Sequence, residues 1–326
     1  MKKLTVGVVG LGYWGPNLVR NFTDHDKFSV TWGCDLIDQN LDRAKKILPT
    51  IQVTKDFNEL LNDPQLDMIA IATSPETHAL LGKKVLESKK HLWIEKPFTT
   101  SLHDAQELLD LAKKNNLYLH VDFPFIFYGP VLKMQELLQS NTIGEPSYYT
   151  SFRTNLGLIQ KNVDVVWDLA PHDLSILFHL FPNKKIVDVQ TIGSTPISNG
   201  NTNQIANLVV EFENNFTAYI HLSWLSPVKL RLITLGGQKK MILFDDISPS
   251  EKIKIYDKSI QIERNDVTPF KPVYRTGDVL VPTFSQKEAL LAEIDFLYQK
   301  MTADKFEYYT AEIAIKILQV LEQVNR

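Results

Sequence analysis

The sequence predicts an α/β protein in two parts. Residues 1–122 read as a doubly wound parallel sheet, and residues 123–326 as an α+β part with a large, mostly antiparallel open sheet. Three observations carry this. Short apolar strands alternate with helix-compatible segments as far as Val121. A Gly-x-Gly-x-x-Gly run joins the first strand to the first helix. Beyond residue 184 the pattern changes to period-two alternation broken by hairpin-type pairs.

Residues 4–9 form a nearly continuous apolar run, as a strand buried on both faces requires. Gly10-Leu-Gly12-Tyr13-Trp14-Gly15 follows, and a helix over Asn17–Phe22 comes next, with Pro16 suited to its first turn. The first glycine permits the tight turn and the second lets a pyrophosphate approach the backbone. The third allows close helix–strand packing, with phosphate at the helix N-terminus. The strand before the motif and the helix after it make it a dinucleotide site, to which Tyr13 and Trp14 belong by position. A second strand, 28–34, ends at Asp35, 20 residues past Gly15. A carboxylate there accepts hydrogen bonds from the ribose hydroxyls and repels a 2′-phosphate, which favours NAD over NADP. Arg43, the nearby arginine, falls well inside the next helix, about 38–48.

Strand 67–72 leads into Thr73-Ser74-Pro75-Glu-Thr-His78, which opens a helix to about Ser88. Thr73, Ser74 and Pro75 sit at a carboxyl strand end, where they can line the nicotinamide ribose; His78 is either a cofactor contact or a satisfied structural histidine. Strand 91–95 ends in Glu95-Lys96-Pro97. A buried strand has no packing need for that charged pair, and open parallel sheets place ligands at carboxyl strand ends. Pro97 fixes φ and stops the ladder, so Lys96 projects from a stiff corner. Ser101-x-x-Asp104 caps a helix to Asn116, and strand 117–121 closes the unit.

From Phe123 the texture changes. An aromatic stretch leads into a helix with Val131, Leu132, Leu137 and Leu138, then a turn and a strand, 147–154, that delivers Arg153 and Asn155. Asp168 and His172 are four apart and share one face of a helical turn, an arrangement in which the carboxylate can fix the imidazole tautomer and raise its basicity. On the residues alone, His172-Asp173 reads sooner as the N-terminal cap of a helix over Leu174–Phe181. Residues 217–224 alternate, and Asn214-Asn215, Gly236-Gly237 and Asp257-Lys258 read as hairpin turns. Lys229 and Arg231 alternate on a solvated strand face. Segments 285–300 and 307–325 are amphipathic helices, with Ile313, Ile315, Ile317, Leu318 and Leu321 as core, and the C-terminal helices are able to pack back on the first part.

A formal net charge of −3 gives no argument for nucleic-acid or membrane binding, and one cysteine, Cys34, allows no intramolecular disulfide. No zinc-type spacing links His172, His179 and His221, so no metal is expected. With neither an apolar signal region nor a run of transmembrane length, the expectation is a cytoplasmic protein.

Gly10-Leu-Gly12-Tyr-Trp-Gly15, Ala72-Thr-Ser-Pro75-Glu-Thr-His78, Glu95-Lys96-Pro97 and Asp168-x-x-x-His172, in that order, resemble the glucose–fructose oxidoreductase / inositol dehydrogenase (Gfo/Idh/MocA) superfamily over essentially the whole chain. The resemblance implies an N-terminal Rossmann domain that binds NAD and a C-terminal substrate-binding and oligomerisation domain. It implies a cis Lys96–Pro97 bond, Lys96 and His172 as catalytic groups with Asp168 nearby, Glu95 at the cofactor, and Lys96, Arg153, Asn155, Asp168 and His172 at the substrate. It makes His172 the general base. The chain departs from the usual pattern at Ala170, where many members carry glycine, and at Val121-Asp-Phe-Pro124. The Tyr13–Asn17 loop, the Arg153–Gly157 run and the Trp167–Asp173 run look like members that oxidise the 3-hydroxyl of UDP-N-acetylglucosamine or a related UDP-sugar for surface polysaccharide or lipid A sugars, ahead of a partner aminotransferase. A free-sugar or inositol dehydrogenase is the alternative, and a non-catalytic cofactor-binding regulator the second. A homo-oligomer, dimer or tetramer, formed through the open sheet is expected.

Overall fold

A computed structural model describes residues 3–157, 159, 163–197, 202–263 and 271–324. The first half runs β1 (Leu4–Val9), α1 (Gly15–Asp24), β2 (Phe28–Cys34), α2 (Asp38–Ile47), β3 (Gln52–Thr54), α3 (Phe57–Asn62), β4 (Met68–Ile71), α4 (Pro75–Glu87), β5 (His91–Ile94), α5 (Leu102–Asn115) and β6 (Leu119–Val121). After these come α6 (Gly129–Gln139), β7 (Pro146–Leu156), α7 (Val165–Leu180), β8 (Ile186–Ser194), β9 (Ile205–Phe212), β10 (Phe216–Ser223), β11 (Leu225–Gly237), β12 (Met241–Asp245) and β13 (Ile253–Tyr256). The remainder is β14 (Ser259–Glu263), β15 (Lys271–Arg275), β16 (Val279–Leu280), α8 (Ala289–Met301) and α9 (Tyr309–Val324).

Two compact units result. The first joins Met1–Phe127 to Lys287–Gln319; the second takes Tyr128–Gln286 and the chain from Val320.

In the first unit six parallel strands lie in the order β3-β2-β1-β4-β5-β6. The order reverses about β1 and β4, which opens a crevice at their carboxyl ends. The interior strands are apolar on both faces because helices cover both; every residue of β4 is buried. Phe22 packs edge-to-face on Phe28 and Trp93, with ring centroids 5.2 and 5.4 Å apart. Leu290, Ile294 and Leu297 of α8 complete this same core, so the helix from the end of the chain belongs to the cofactor unit. Ser101 Oγ accepts from Asp104 N at 3.1 Å, the expected cap. β3 and α3 occupy residues where the sequence pattern predicts no element; Asp56 starts α3 by accepting from Asn58 N at 2.9 Å. The Lys96–Pro97 bond is cis.

The second unit is built on eight strands in the order β16-β13-β12-β11-β7-β10-β9-β8. Neighbours are antiparallel except β7 and β10, which are parallel. α7 lies against β7, β9 and β10. Alternation separates the faces: Tyr149, Ser151 and Arg153 of β7 are buried while Tyr148 and Phe152 are exposed, and Ala218, Ile220 and Leu222 of β10 are buried while Tyr219 is exposed.

Four expectations are corrected here. α7 starts at Val165, nine residues before Leu174, because Asp164 caps it by accepting from Val166 N at 2.8 Å. His172-Asp173 is therefore mid-helix and not a cap. Gly236-Gly237 ends β11 instead of turning, since a Cβ on Gly236 would stand 2.2 Å from the Tyr148 ring; the turn follows, with Gly237 N donating to Lys240 O. Asp257-Lys258 links β13 to the separate ribbon of β14 and β15 and makes no hairpin. Ile315 is half-buried, whereas Ile313, Ile317, Leu318 and Leu321 are core. Asn214 and Asn215, at φ 65° and 57°, do turn β9 into β10. Among the described residues no helix is long and apolar enough to cross a membrane.

Candidate cofactor site and acid–base residues

Gly10 takes φ +86°, and a Cβ there would stand 2.5 Å from Ala72 O; a Cβ on Gly15 would stand 2.0 Å from Gly10 O. Gly12 meets nothing within 4 Å, so the loop backbone is open to an approaching diphosphate. Beside it lies a pocket of about 610 Å³ lined by Gly10, Gly12, Asp35, Leu36, Ile37, Asn40, Thr73, Ser74 and Leu80, among others. Leu36, Ile37 and Leu80 are exposed, an apolar rim that suits an adenine face. The sequence carries a faint sign of this rim in the apolar pair directly after Asp35.

Asp35 lines the pocket and also holds the loop. Its Oδ2 accepts from Leu11 N at 2.7 Å and from Asn40 Nδ2 at 3.1 Å, and its Oδ1 accepts from Ile37 N at 2.8 Å. Arg43 does reach back from α2, donating to Gly12 O at 2.9 Å. Burial raises the Cys34 thiol to about 11, so the neighbouring cysteine is held as a neutral filler. These residues fit an NAD adenosine and diphosphate.

Trp14 and His78 each tie parts of the first unit together. The Trp14 indole packs on the core and donates from Nε1 to Asp122 Oδ2 at 2.7 Å. His78 is fully buried, with Nδ1 2.9 Å from Pro97 O and Nε2 3.2 Å from Thr73 O. Burial lowers its pKa, so a neutral ring joins the β4 loop to the Lys96–Pro97 corner. Tyr13 projects from the loop, 93% exposed. Thr73 and Ser74 line the pocket and Pro75 opens α4. Glu95 and Lys96 follow β5, both partly exposed.

In the second unit Asp168 and His172 lie one turn apart on α7, both half-buried. Asp168 Oδ2 accepts from Trp224 Nε1 at 2.9 Å, which fixes the carboxylate. Pro171 has no N–H to give the Trp167 carbonyl, loosening the helix just before His172. Asn155 stands opposite the bulge of β11, where pairing shifts between Leu225 and Leu230. Arg153 of β7 lies inside the second unit. It is 5% exposed, and its Nε lies 2.5 Å from Asp173 Oδ2, with Nη2 at 3.4 Å from Oδ1, so the guanidinium serves a buried ion pair. The pair joins β7 to α7 across 20 residues, so no local pattern in the sequence signals it.

Among the described residues His103, Asp104 and Glu107 could share a metal ion, but they open α5 at the surface and Glu107 is 2.6 Å from Lys83.

Residues 4–123 match the model of an oxidoreductase family described by its NAD-binding Rossmann fold, and residues 131–243 match the GFO/IDH/MocA C-terminal domain. The chain is 34% identical over 148 residues to the uncharacterized oxidoreductase YdgJ of Escherichia coli, covering 43% of each chain. It is 29% identical over 143 residues to myo-inositol 2-dehydrogenase of Thermotoga maritima, covering 44% of this chain and 43% of that one. Each alignment thus spans under half of the relative's length. In fold it is similar to GenD2 from gentamicin A biosynthesis in complex with NAD (TM-score 0.83, 16% identity, 100% and 94% covered). It is also similar to the UDP-N-acetylglucosamine 3-dehydrogenase GnnA of Acidithiobacillus ferrooxidans (TM-score 0.79, 19% identity, 99% and 98% covered). With its dinucleotide loop, its Asp35 pocket and both domain models matched in order, this chain belongs to the Gfo/Idh/MocA family of NAD-binding oxidoreductases.

Proposed function

We propose that the protein is an NAD-dependent dehydrogenase that oxidises a sugar ring hydroxyl to a ketone, with the 3-hydroxyl of UDP-N-acetylglucosamine or a related UDP-sugar as substrate. The observation that carries this is that one chain with an intact dinucleotide loop holds both Lys96, after β5, and His172, one turn after Asp168 on α7. A protein that only senses its cofactor has no use for an acid–base pair. When bound, NAD⁺ supplies the hydride acceptor. His172 takes the hydroxyl proton, Lys96 stabilises the negative charge that grows on that oxygen, and Asp168, held by Trp224, keeps an anionic group one turn from His172. Asn155 remains a substrate contact in this reading, but Arg153 does not.

The likeness to GnnA supports a UDP-sugar and that to myo-inositol 2-dehydrogenase supports a free polyol. The pathway proposed is surface polysaccharide or lipid A sugar synthesis, with an aminotransferase consuming the ketone. Self-association is proposed through the open face of the eight-stranded sheet, which presents Tyr148, Phe152 and Tyr219.

The test is NADH formation from NAD⁺ and UDP-N-acetylglucosamine, with a 3-aminotransferase and L-glutamate drawing off the ketone. Turnover that needs the UDP-sugar and drops by orders of magnitude in Lys96→Ala supports the reading. Turnover with myo-inositol or a free sugar alone would replace the substrate, and unchanged turnover in Lys96→Ala would remove the mechanism.

A further inference from the structure

The dinucleotide loop is anchored on both sides of its second glycine. Gly10 N donates to Cys34 O at 2.9 Å and Leu11 N donates to Asp35 Oδ2 at 2.7 Å. Beyond the glycine, the Trp14 indole donates to Asp122. Gly12 itself has no side chain to restrain it, and a Cβ there would meet nothing within 4 Å. A glycine so placed has wide freedom of φ and ψ, so the peptide that follows it is free to turn over. Its direction matters to a diphosphate, which repels a carbonyl oxygen and attracts an amide N–H. The Gly12–Tyr13 peptide is trans, so its two polar groups point opposite ways.

The direction is set from α2. Arg43 Nη1 donates to Gly12 O at 2.9 Å, and no carboxylate pairs with this guanidinium among the described residues. The helix is a firm base for it, since Leu41 and Ala44 are buried in the core of the unit. Asn40, three residues before Arg43 and so on the same helix face, donates to Asp35 Oδ2 at 3.1 Å. α2 therefore holds Asp35 through one side chain and Gly12 through the other. The Gly12 and Tyr13 amides meet no acceptor among the described residues, which leaves them to a ligand.

We propose that Arg43 is a positioning residue of the cofactor site. It holds the Gly12 carbonyl toward α2, so that the Tyr13 N–H is presented to the diphosphate of the dinucleotide. Ligands that carry the diphosphate then depend on Arg43, whereas adenosine, which fits the Asp35 pocket, does not. Salt separates this role from plain attraction. A cation acting only through its charge is screened, and an oriented peptide is not. The inference rests on the cofactor site and is independent of which hydroxyl is oxidised.

The test compares the full chain with its Arg43→Met variant, which keeps the apolar stem and loses the donors. NAD⁺ and ADP are titrated by calorimetry and adenosine by ligand-observed NMR, at low salt and at about 0.5 M salt. NAD⁺ and ADP should bind the variant about tenfold more weakly at both salt concentrations, the worth of one hydrogen bond to a charged group. Adenosine should stay within about twofold, because Arg43 is exposed and its pocket is intact. An equal loss for adenosine would make Arg43 a support of the whole pocket. A loss that disappears in salt would make it a distant charge. Either result overturns the proposal, as does unchanged binding of all three ligands.

Discussion

Arg153→Ala separates a buried ion pair from a ligand contact. Arg153 and Asp173 are 5% and 2% exposed, and the tight Nε–Oδ2 contact is backed by a second nitrogen at 3.4 Å. Tyr149 Oη donates to the Asp173 carbonyl at 3.2 Å, so the same spot also ties α7 to β7. Removing the guanidinium leaves a carboxylate in the interior without its counter-charge, which costs about 3–5 kcal/mol. Against a total stability of about 5–15 kcal/mol, that lowers the folded-to-unfolded ratio roughly a thousandfold. Denaturant unfolding followed by tryptophan fluorescence reads it, with Trp167 and Trp224 reporting on the second unit. The midpoint of that transition should fall sharply in Arg153→Ala and recover in large part in Arg153→Met with Asp173→Leu, where neither charge remains. An unchanged midpoint with weakened UDP-sugar binding would refute this and return Arg153 to the substrate.

Three further outcomes are expected. Asp35→Ala should weaken NAD⁺ and NADH alike, since two loop N–H groups lose a charged acceptor worth about 1.5–3 kcal/mol each; titration of both cofactors checks it. The folded pKa of Glu293 lies above its unfolded value, so its contribution is present below the ordinary carboxylate pKa of 4.5 and is lost as pH rises toward the folded one. Wild-type stability should therefore decline with pH above that value by up to about 1.4 kcal/mol per unit, and Glu293→Gln should flatten the decline in denaturant titrations across pH. Cys34, with its thiol near 11 and 4% exposed, should react with a thiol reagent at pH 8 about a hundredfold slower in the native than in the denatured protein.

The parallel sheet was legible because its signals are local. The loop glycines, Asp35 and the Glu95–Pro97 corner each follow a strand within a few residues. The Ser101 cap is likewise written in four consecutive positions. What sequence left hidden depends on partners far along the chain. Gly236 reads as a turn residue until the Tyr148 ring is seen against it. The start of α7 was hidden because its cap, Asp164, also accepts from Asn203 N, 39 residues on. Glu293 looks like one more solvent-facing acid on an amphipathic helix, and only the fold shows that His120 and Phe123 lie against it.

The first unit is stitched from two distant stretches of chain, and α8 brings both core leucines and Glu293 to it. The ribosome therefore completes the cofactor-binding half last, after the whole of residues 128–286 has emerged. Until then the nascent sheet lacks part of its apolar cover and holds Asp122 beside an unfilled flank. Closing that gap requires joining segments about 160 residues apart, a slow, long-range step compared with the local pairing of the strands. A stop codon or cleavage before α8 would thus disable a dinucleotide loop formed far earlier in the sequence, at Gly10–Gly15.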